Sequence, residues 1–263
     1  MKDRLIKIFI GYDRSQKLAY SVLVNSLIRH STQPLSITPV ALDNIKHFYR
    51  RSRAPDESTE FSISRFLVPF LCRYEGWAIY MDCDMLCLDD VSKLWDLRDG
   101  KYIIQVVDHG RLKQPAMKME GFKQSDYPCK NWSSLMLFNC VKCSALTPFE
   151  INNYPGPHLH QFEWINSKVI WTPWAWLRPS DMCPVPGKIG FLPREWNYLA
   201  GYNLNWVVKK PSMIHYTLGG PWLAQYFDSE YSSLWFDEFT NMIGHGHLSR
   251  SQEPDSTGTP TVW

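Results

Sequence analysis

The sequence predicts an α/β fold: a single domain with a central, mostly parallel sheet flanked by helices. Three observations predict it. A β-α-β pattern opens the chain. Short, wholly apolar runs recur and end abruptly in polar residues. The composition, 44% hydrophobic and 21% charged over 263 residues, supports a sizeable core.

Leu5 to Ile10 reads as the first strand, closed by Gly11-Tyr12-Asp13. Leu18 to Arg29 follows with Leu18, Val22, Leu23 and Leu27 at helical spacing. Leu35 to Leu42 reads as the second strand, which completes a unit that places two parallel strands side by side. Ser64 to Tyr74 predicts a helix that Pro69 kinks or stops early. Trp77 to Met81 is an apolar strand suited to burial on both faces. Val91 to Leu97 reads as a short helix and Tyr102 to Val107 as the next strand, ending at Asp108-His109. Residues 110–130 are polar and loop-like, Ser134 to Phe138 is another apolar strand, and Pro148 to Pro193 predicts loops and short elements. Met213 to Tyr216 is short and apolar, a Gly-rich turn spans Thr217 to Trp222, and Tyr226 to Met242 predicts a helix. Residues 1–243 are read as the domain, and the polar, Pro/Gly/Ser-rich residues 244–263 as a disordered tail.

The formal net charge of +2 argues against a nucleic-acid partner. No window approaches the apolar length of a transmembrane segment, and the apolar piece in MKDRLIKIFIGYD is too short for a signal peptide. The seven cysteines are odd in number and scattered, which predicts reduced thiols and a cytoplasmic protein. The 12 Trp, 13 Tyr and 13 Phe can fill a core or form stacking platforms for sugars or bases, and the count alone favours filling.

The strand Trp77 to Met81 runs directly into Asp82-Cys83-Asp84. Ligands of open α/β sheets sit outside the carboxyl ends of strands. Residues i and i+2 point the same way in a strand, so the two carboxylates repel unless a cation lies between them. Oxygen ligands suit Mg²⁺ or Mn²⁺, which commonly hold substrate phosphates. An acidic surface turn is the plain alternative.

The order FSISRFLVPFLCRYEGWAIYMDCDMLCLDDV resembles the central segment of family 8 glycosyltransferases, the glycogenin- and galactosyltransferase-like group, and IFIGYDRSQKLAYSVLVNSL resembles their opening strand, loop and helix. The resemblance implies a Rossmann-like GT-A fold, a UDP-sugar donor, Mn²⁺ (or Mg²⁺) held by the DxD motif, and retaining transfer of a hexose to a carbohydrate or other acceptor hydroxyl. It places Tyr12 and Asp13 at the nucleobase, Asp82 and Asp84 on the metal, and Cys83 between them among the donor-binding residues. Arg65 falls where the family faces nucleotide and sugar with a basic residue, and Asp108 where a carboxylate binds donor hydroxyls. IHYTLGGPW resembles the segment that ends the family's site, with His215 as the third metal ligand and Gly219 and Gly220 in the diphosphate turn.

This chain departs from the pattern at four places. Trp132 replaces Asn, Ser134 replaces Gly, His160 replaces the Asp of an Asp-Gln pair, and Gly220 stands where Lys is usual. A covalent retaining route needs a carboxylate nucleophile. His160-Gln161 does not offer one, although Glu163 lies two residues on. That favours a front-face route, with Gln161, Asp108 and Arg65 as the catalytic set. Asp13 can alternatively be a helix N-cap, and His215 a packed histidine. Two other functions are weighed. A nucleotidyltransferase would need a Gly-rich basic loop where GYDRSQK stands. A catalytically weak carbohydrate-binding protein is kept open by WTPWAWLRP and by the departures at Trp132, His160 and Gly220, behind the leading glycosyltransferase reading.

Overall fold

The computed structural model describes residues 5–54, 57–110, 117–118, 122–123, 129–166, 187–202, 204 and 208–244. The expected tail after Gly244, the WTPWAWLRP stretch and most of the expected 110–130 loop lie outside them.

Ile6–Gly11 forms β1, whose Ile6, Ile8 and Ile10 are fully buried. Gly11 ends it beneath Phe61 and Tyr80, where a Cβ would lie 2.5 Å from the tyrosine hydroxyl. A 3-10 turn at Arg14–Gln16 leads into α1, Lys17–His30, which buries Ala19, Val22, Leu23, Ser26 and Leu27 on one face. β2, Leu35–Val40, is an edge strand, so Pro39 breaks no interior ladder. α2, Leu42–Ile45, ends the strand earlier than expected.

The helix expected over Ser64 to Tyr74 is two short pieces. A 3-10 turn covers Ser64–Leu67, and α3 covers Val68–Leu71 with Pro69 in its first turn, where a missing N–H costs little. Arg73 and Tyr74, both in the left-handed region, stop it. Then come β3 at Trp77–Met81, β4 at Met85–Cys87, α4 at Val91–Asp96 and β5 at Ile104–Val107. β6, Met117–Lys118, pairs antiparallel with β7, Phe122–Lys123. β8 is Leu135–Asn139, α5 Pro148–Asn153, α6 Gly156–His160 and β9 Ile189–Leu192. β10 is Tyr198–Leu199, β11 Met213–His215 and α7 Ser232–Ile243.

The main sheet has the order β2-β1-β3-β8-β5-β9. Neighbours run parallel except at β8, which is antiparallel to both β3 and β5. The sheet is thus mostly parallel, as expected. A second, small sheet has the order β10-β11-β4. The large core packs around the main sheet, and a smaller cluster of Leu86, Ile214, Tyr216 and Trp235 joins the small sheet to α7.

Core filling accounts for Trp95, Trp132, Trp164, Trp196 and Trp235, all buried. Cys72, Cys83, Cys87, Cys140 and Cys143 are free thiols. Cys129 is disulfide-bonded, which corrects the expectation that every cysteine is reduced. Among the described residues no helix is long and apolar enough to cross a membrane.

Candidate active site

The chain leaves the main sheet at Met81 and enters the small sheet at Met85, so residues 82–84 bridge the two. Both ends of the bridge are tied by backbone. Asp82 N–H donates to Ser134 O (2.9 Å), and Tyr216 N–H donates to Asp84 O (2.9 Å). His215 pairs directly across from Met85 in the β11–β4 ladder. One acid is thus pinned to the start of β8 and the other to the end of β11.

This brings Asp82, Asp84 and His215 together. One ligand atom from each lies within 4.8 Å of the others, and all three residues are buried. His215 Nε2 is 3.3 Å from Asp84 Oδ1 and has no hydrogen-bond partner among the described residues. Its Nδ1 lies 3.0 Å from Asn197 Oδ1. Two carboxylates and an imidazole nitrogen converging on one point fit a hard or borderline divalent cation such as Mg²⁺ or Mn²⁺.

Asp82 is held on its other side. Arg65 Nη1 lies 2.9 Å from Oδ1 and also donates to Ser133 O (2.9 Å), while Tyr80 Oη–H donates to Asp82 Oδ1 (2.8 Å). The Arg65 guanidinium sits over the rings of Phe61 and Tyr80. Burial pushes the Asp82 carboxyl up, Arg65 opposes that rise, and the Asp84 charge adds to it. Arg65 therefore meets a proposed metal ligand directly, an arrangement that its place on the preceding helix does not disclose.

The remaining candidates fall around this centre. Asp13 caps the 3-10 turn after β1: Oδ1 accepts from Ser15 N–H (2.8 Å) and Oγ–H (2.6 Å), and Oδ2 from Glu60 N–H (3.0 Å). The capping alternative therefore describes its contacts. Tyr12 beside it is half-buried, with its ring edge-on to Tyr20. Cys83 is fully buried, its Sγ–H directed at Gln16 Oε1 (3.4 Å), and burial holds its thiol well above the usual range. It is thus neutral and packed between the two acids.

Asp108, just past β5, accepts from Gly110 N–H (2.9 Å) and Trp132 Nε1–H (3.3 Å). Trp132 also meets the Phe191 ring edge-on, and Phe191 is 59% exposed. His160 Nδ1 lies 2.8 Å from Ser133 Oγ, whose backbone carbonyl serves Arg65. Loss of water around its ring, with the charges of Arg65, Arg51 and Lys130, pushes His160 down to about 3, so it is a neutral link between α6 and the centre. Gln161 follows as the C-cap of α6.

The turn after β11 is shaped by its glycines. Gly219 has φ +134°, and a Cβ there would lie 2.4 Å from the Tyr226 ring. A Cβ on Gly220 would lie 2.1 Å from the Trp222 ring. The indole fills the space a Lys side chain would need.

Sequence reasoning missed Tyr80, Gln16 and Asn197. Tyr80 sits two residues before Asp82 on one strand face, a signal that was available locally. Asn197 carries no motif and reaches His215 only through the fold.

No family profile matches the sequence. Protein CDI of Arabidopsis thaliana is 40% identical over 241 residues, which span 88% of this chain and 85% of that protein. The chain belongs to the Protein CDI family. General stress protein A of Bacillus subtilis matches this CDI-family chain over a shorter stretch, 33% identical across 93 residues, 34% of this chain and 26% of that one. Among solved structures, the bifunctional glycosyltransferase WbbM superposes with a TM-score of 0.58 at 19% identity, covering 91% of this chain and 50% of its own. The CDI-family chain thus spans about half of WbbM. The galactosyltransferase LgtC, solved with donor and acceptor sugar analogs, superposes with a TM-score of 0.51 at 10% identity, covering 89% of this chain and 95% of its own. The CDI-family chain therefore has the GT-A fold of glycosyltransferases.

Proposed function

We propose that the protein is a metal-dependent, retaining glycosyltransferase of the family 8 type. It moves a hexose from a UDP-sugar to a carbohydrate or other acceptor hydroxyl. The observation that carries the proposal is the convergence of Asp82, Asp84 and His215 where the two sheets of a GT-A fold meet. Asp82, Asp84 and His215 would hold Mn²⁺ or Mg²⁺, whose chemistry there is to offset charge on the departing diphosphate.

The chain's own residues supply the rest. Arg65 and Tyr80 fix the Asp82 carboxylate from behind. Tyr12 and the loop ordered by Asp13 line the base side, and Cys83 packs the floor between the acids without ionising. Asp108, oriented by Trp132, accepts hydrogen bonds from donor-sugar hydroxyls. With Lys absent at 220 and Gly219 N–H donating to Tyr216 O (2.8 Å), the diphosphate charge is met by the cation and by Arg65. Gln161 lines the donor face in a front-face transfer, and the diphosphate takes up the acceptor proton. Five free thiols among the described residues support a cytoplasmic setting, and the Cys129 disulfide counts against it.

The test is turnover of a panel of UDP-sugars by the purified chain, followed by NMR of the product anomer. Mn²⁺-dependent UDP release with retained configuration is expected. An inverted anomer would refute the retaining assignment. A glycosyl adduct trapped on Glu163 by a slow fluorinated donor would refute the front-face route alone. Pyrophosphate release from a nucleoside triphosphate would favour a nucleotidyltransferase instead. Sugar binding without turnover of any donor would favour a carbohydrate-binding protein.

A further inference from the structure

The orientation of His215 can be worked out from proton accounting, starting at a group that can only accept. The backbone carbonyl of Asn131 accepts from Ser134 Oγ–H at 2.6 Å, so the single hydroxyl proton of Ser134 is committed there. Ser134 Oγ lies 2.9 Å from the Asn197 amide and must therefore accept from it, which puts Asn197 Nδ2 on the Ser134 side. The same nitrogen is directed at Asn131 O (3.5 Å), again an acceptor. Asn197 Oδ1 is then the atom that faces His215. An amide oxygen accepts, so His215 Nδ1 must carry a proton at the 3.0 Å contact. In the neutral ring the remaining nitrogen, Nε2, presents its lone pair, and Nε2 is the atom 3.3 Å from Asp84 Oδ1.

The amide is not free to turn over. Asn197 is fully buried, and its backbone carbonyl accepts from His109 Nε2–H (2.7 Å). His109 is itself buried and its pKa pushed down to about 4 by burial, so it is a neutral donor. Flipping the Asn197 amide would face Nδ2 to His215 and set its oxygen against an oxygen whose proton is already committed. Each exchange would leave a buried polar pair mismatched.

We propose that Asn197, its amide oriented by Ser134, is a positioning residue that holds His215 in the Nδ1–H tautomer with the Nε2 lone pair aimed at Asp82 and Asp84, and so sets the site's affinity for a divalent cation. A lone pair facing two carboxylates is repulsive by itself and becomes favourable when a cation lies between them. This rests on the metal reading given under the proposed function, but the tautomer is a property of the metal-free chain.

The experiment has two arms. In the first, a long-range ¹H–¹⁵N spectrum of the labelled, metal-free full chain is recorded, whose cross-peak pattern separates the two neutral tautomers from the doubly protonated ring. His215, assigned by its absence in His215→Ala, is expected as the Nδ1–H tautomer. In Ser134→Ala it is expected to shift toward a tautomer mixture. In the second arm, Mn²⁺ affinity is read from the free-ion EPR signal. Asn197→Leu, which keeps size but cannot accept, is expected to weaken binding roughly 10- to 100-fold. Asn197→Asp still accepts from Nδ1–H but sets its second oxygen against Ser134 Oγ and Asn131 O, so it is expected to recover only part of the affinity lost in Asn197→Leu, and Ser134→Ala to stay nearer wild type. An Nε2–H tautomer of His215 in the wild-type chain would overturn the proposal even if no Asn197 or Ser134 variant folded. So would undiminished Mn²⁺ affinity in folded Asn197→Leu. Wild type that binds no Mn²⁺ would overturn the metal reading and the affinity half of the proposal. The tautomer spectrum, taken without metal, would still decide whether Asn197 holds His215 in the Nδ1–H form.

Discussion

Any side chain at position 220 would collide with Trp222, and Trp222 has little room to yield. Its ring lies 5.9 Å from Tyr216 and 5.6 Å from Trp235, inside the cluster that fastens α7 to the small sheet. Gly220→Ala is therefore expected to destabilise the chain by about 1–3 kcal/mol through overpacking, measured by urea unfolding. The same change in a Trp222→Ala background is expected to cost far less, because the obstructing ring is gone. Equal costs in both backgrounds would contradict the steric account. At this scale, Asp82 and Asp84 were legible in the sequence because an acidic pair two residues apart at a strand end is a local pattern, whereas His215 was legible only through the family resemblance of IHYTLGGPW. Arg65 was legible as a residue, but its partner was not. That Arg65 meets Asp82 depends on how the 3-10 turn at Ser64–Leu67 and β3 pack, which no spacing encodes. Asn197 stands outside every motif, and only three-dimensional contact with Ser134 and His215 distinguishes it from any other buried amide.

Among the elements, α4 shows how the site's bridge is braced from behind. Asp90 caps it, accepting from Ser92 N–H (2.9 Å) and from the N–H (3.2 Å) and hydroxyl of Thr32, just past α1. The cap thus ties α4 to α1 directly after β4. Partial burial raises the Asp90 carboxyl, but the bonds from Thr32 and Ser92 outweigh it and hold the group down at about 2. A carboxyl whose folded pKa lies below its unfolded value near ~3.9 contributes stability above that unfolded value. The contribution is lost as pH falls through the folded pKa. Asp90→Ala is expected to cost roughly 1–2 kcal/mol at neutral pH. The gap from wild type is expected to narrow as pH drops from about 4 toward 2. Chemical denaturation at several pH values measures it, and a gap independent of pH would show that the cap does not act through its charge. The strands β1, β2, β3, β5 and β8 of the main sheet were readable, whereas the three-residue β4 was hidden in an acid-rich run and β9 at the end of a Pro- and Trp-rich one. The reversed direction of β8 was also unreadable, because a strand buried on both faces has the same apolar pattern either way.

On the scale of the whole molecule, the proposed cation-and-diphosphate seat lies where the main and small sheets meet. Each sheet alone supplies an incomplete set, with Asp82 at the end of β3 and His215 at the end of β11. Ligand binding should therefore stabilise the chain globally by bridging the two sheets. The most direct measurement is the melting temperature with UDP, with Mn²⁺, with both and with neither, for wild type and Asp84→Asn. At 100 times the dissociation constant a ligand that binds only the folded state adds about 2.7 kcal/mol, or on the order of 5–10 °C for a chain of this size. The account predicts that rise in wild type only when UDP and Mn²⁺ are present together, and its loss in Asp84→Asn while the unliganded melting temperature stays close to wild type. An equal UDP shift without Mn²⁺, or an undiminished joint shift in Asp84→Asn, would contradict it.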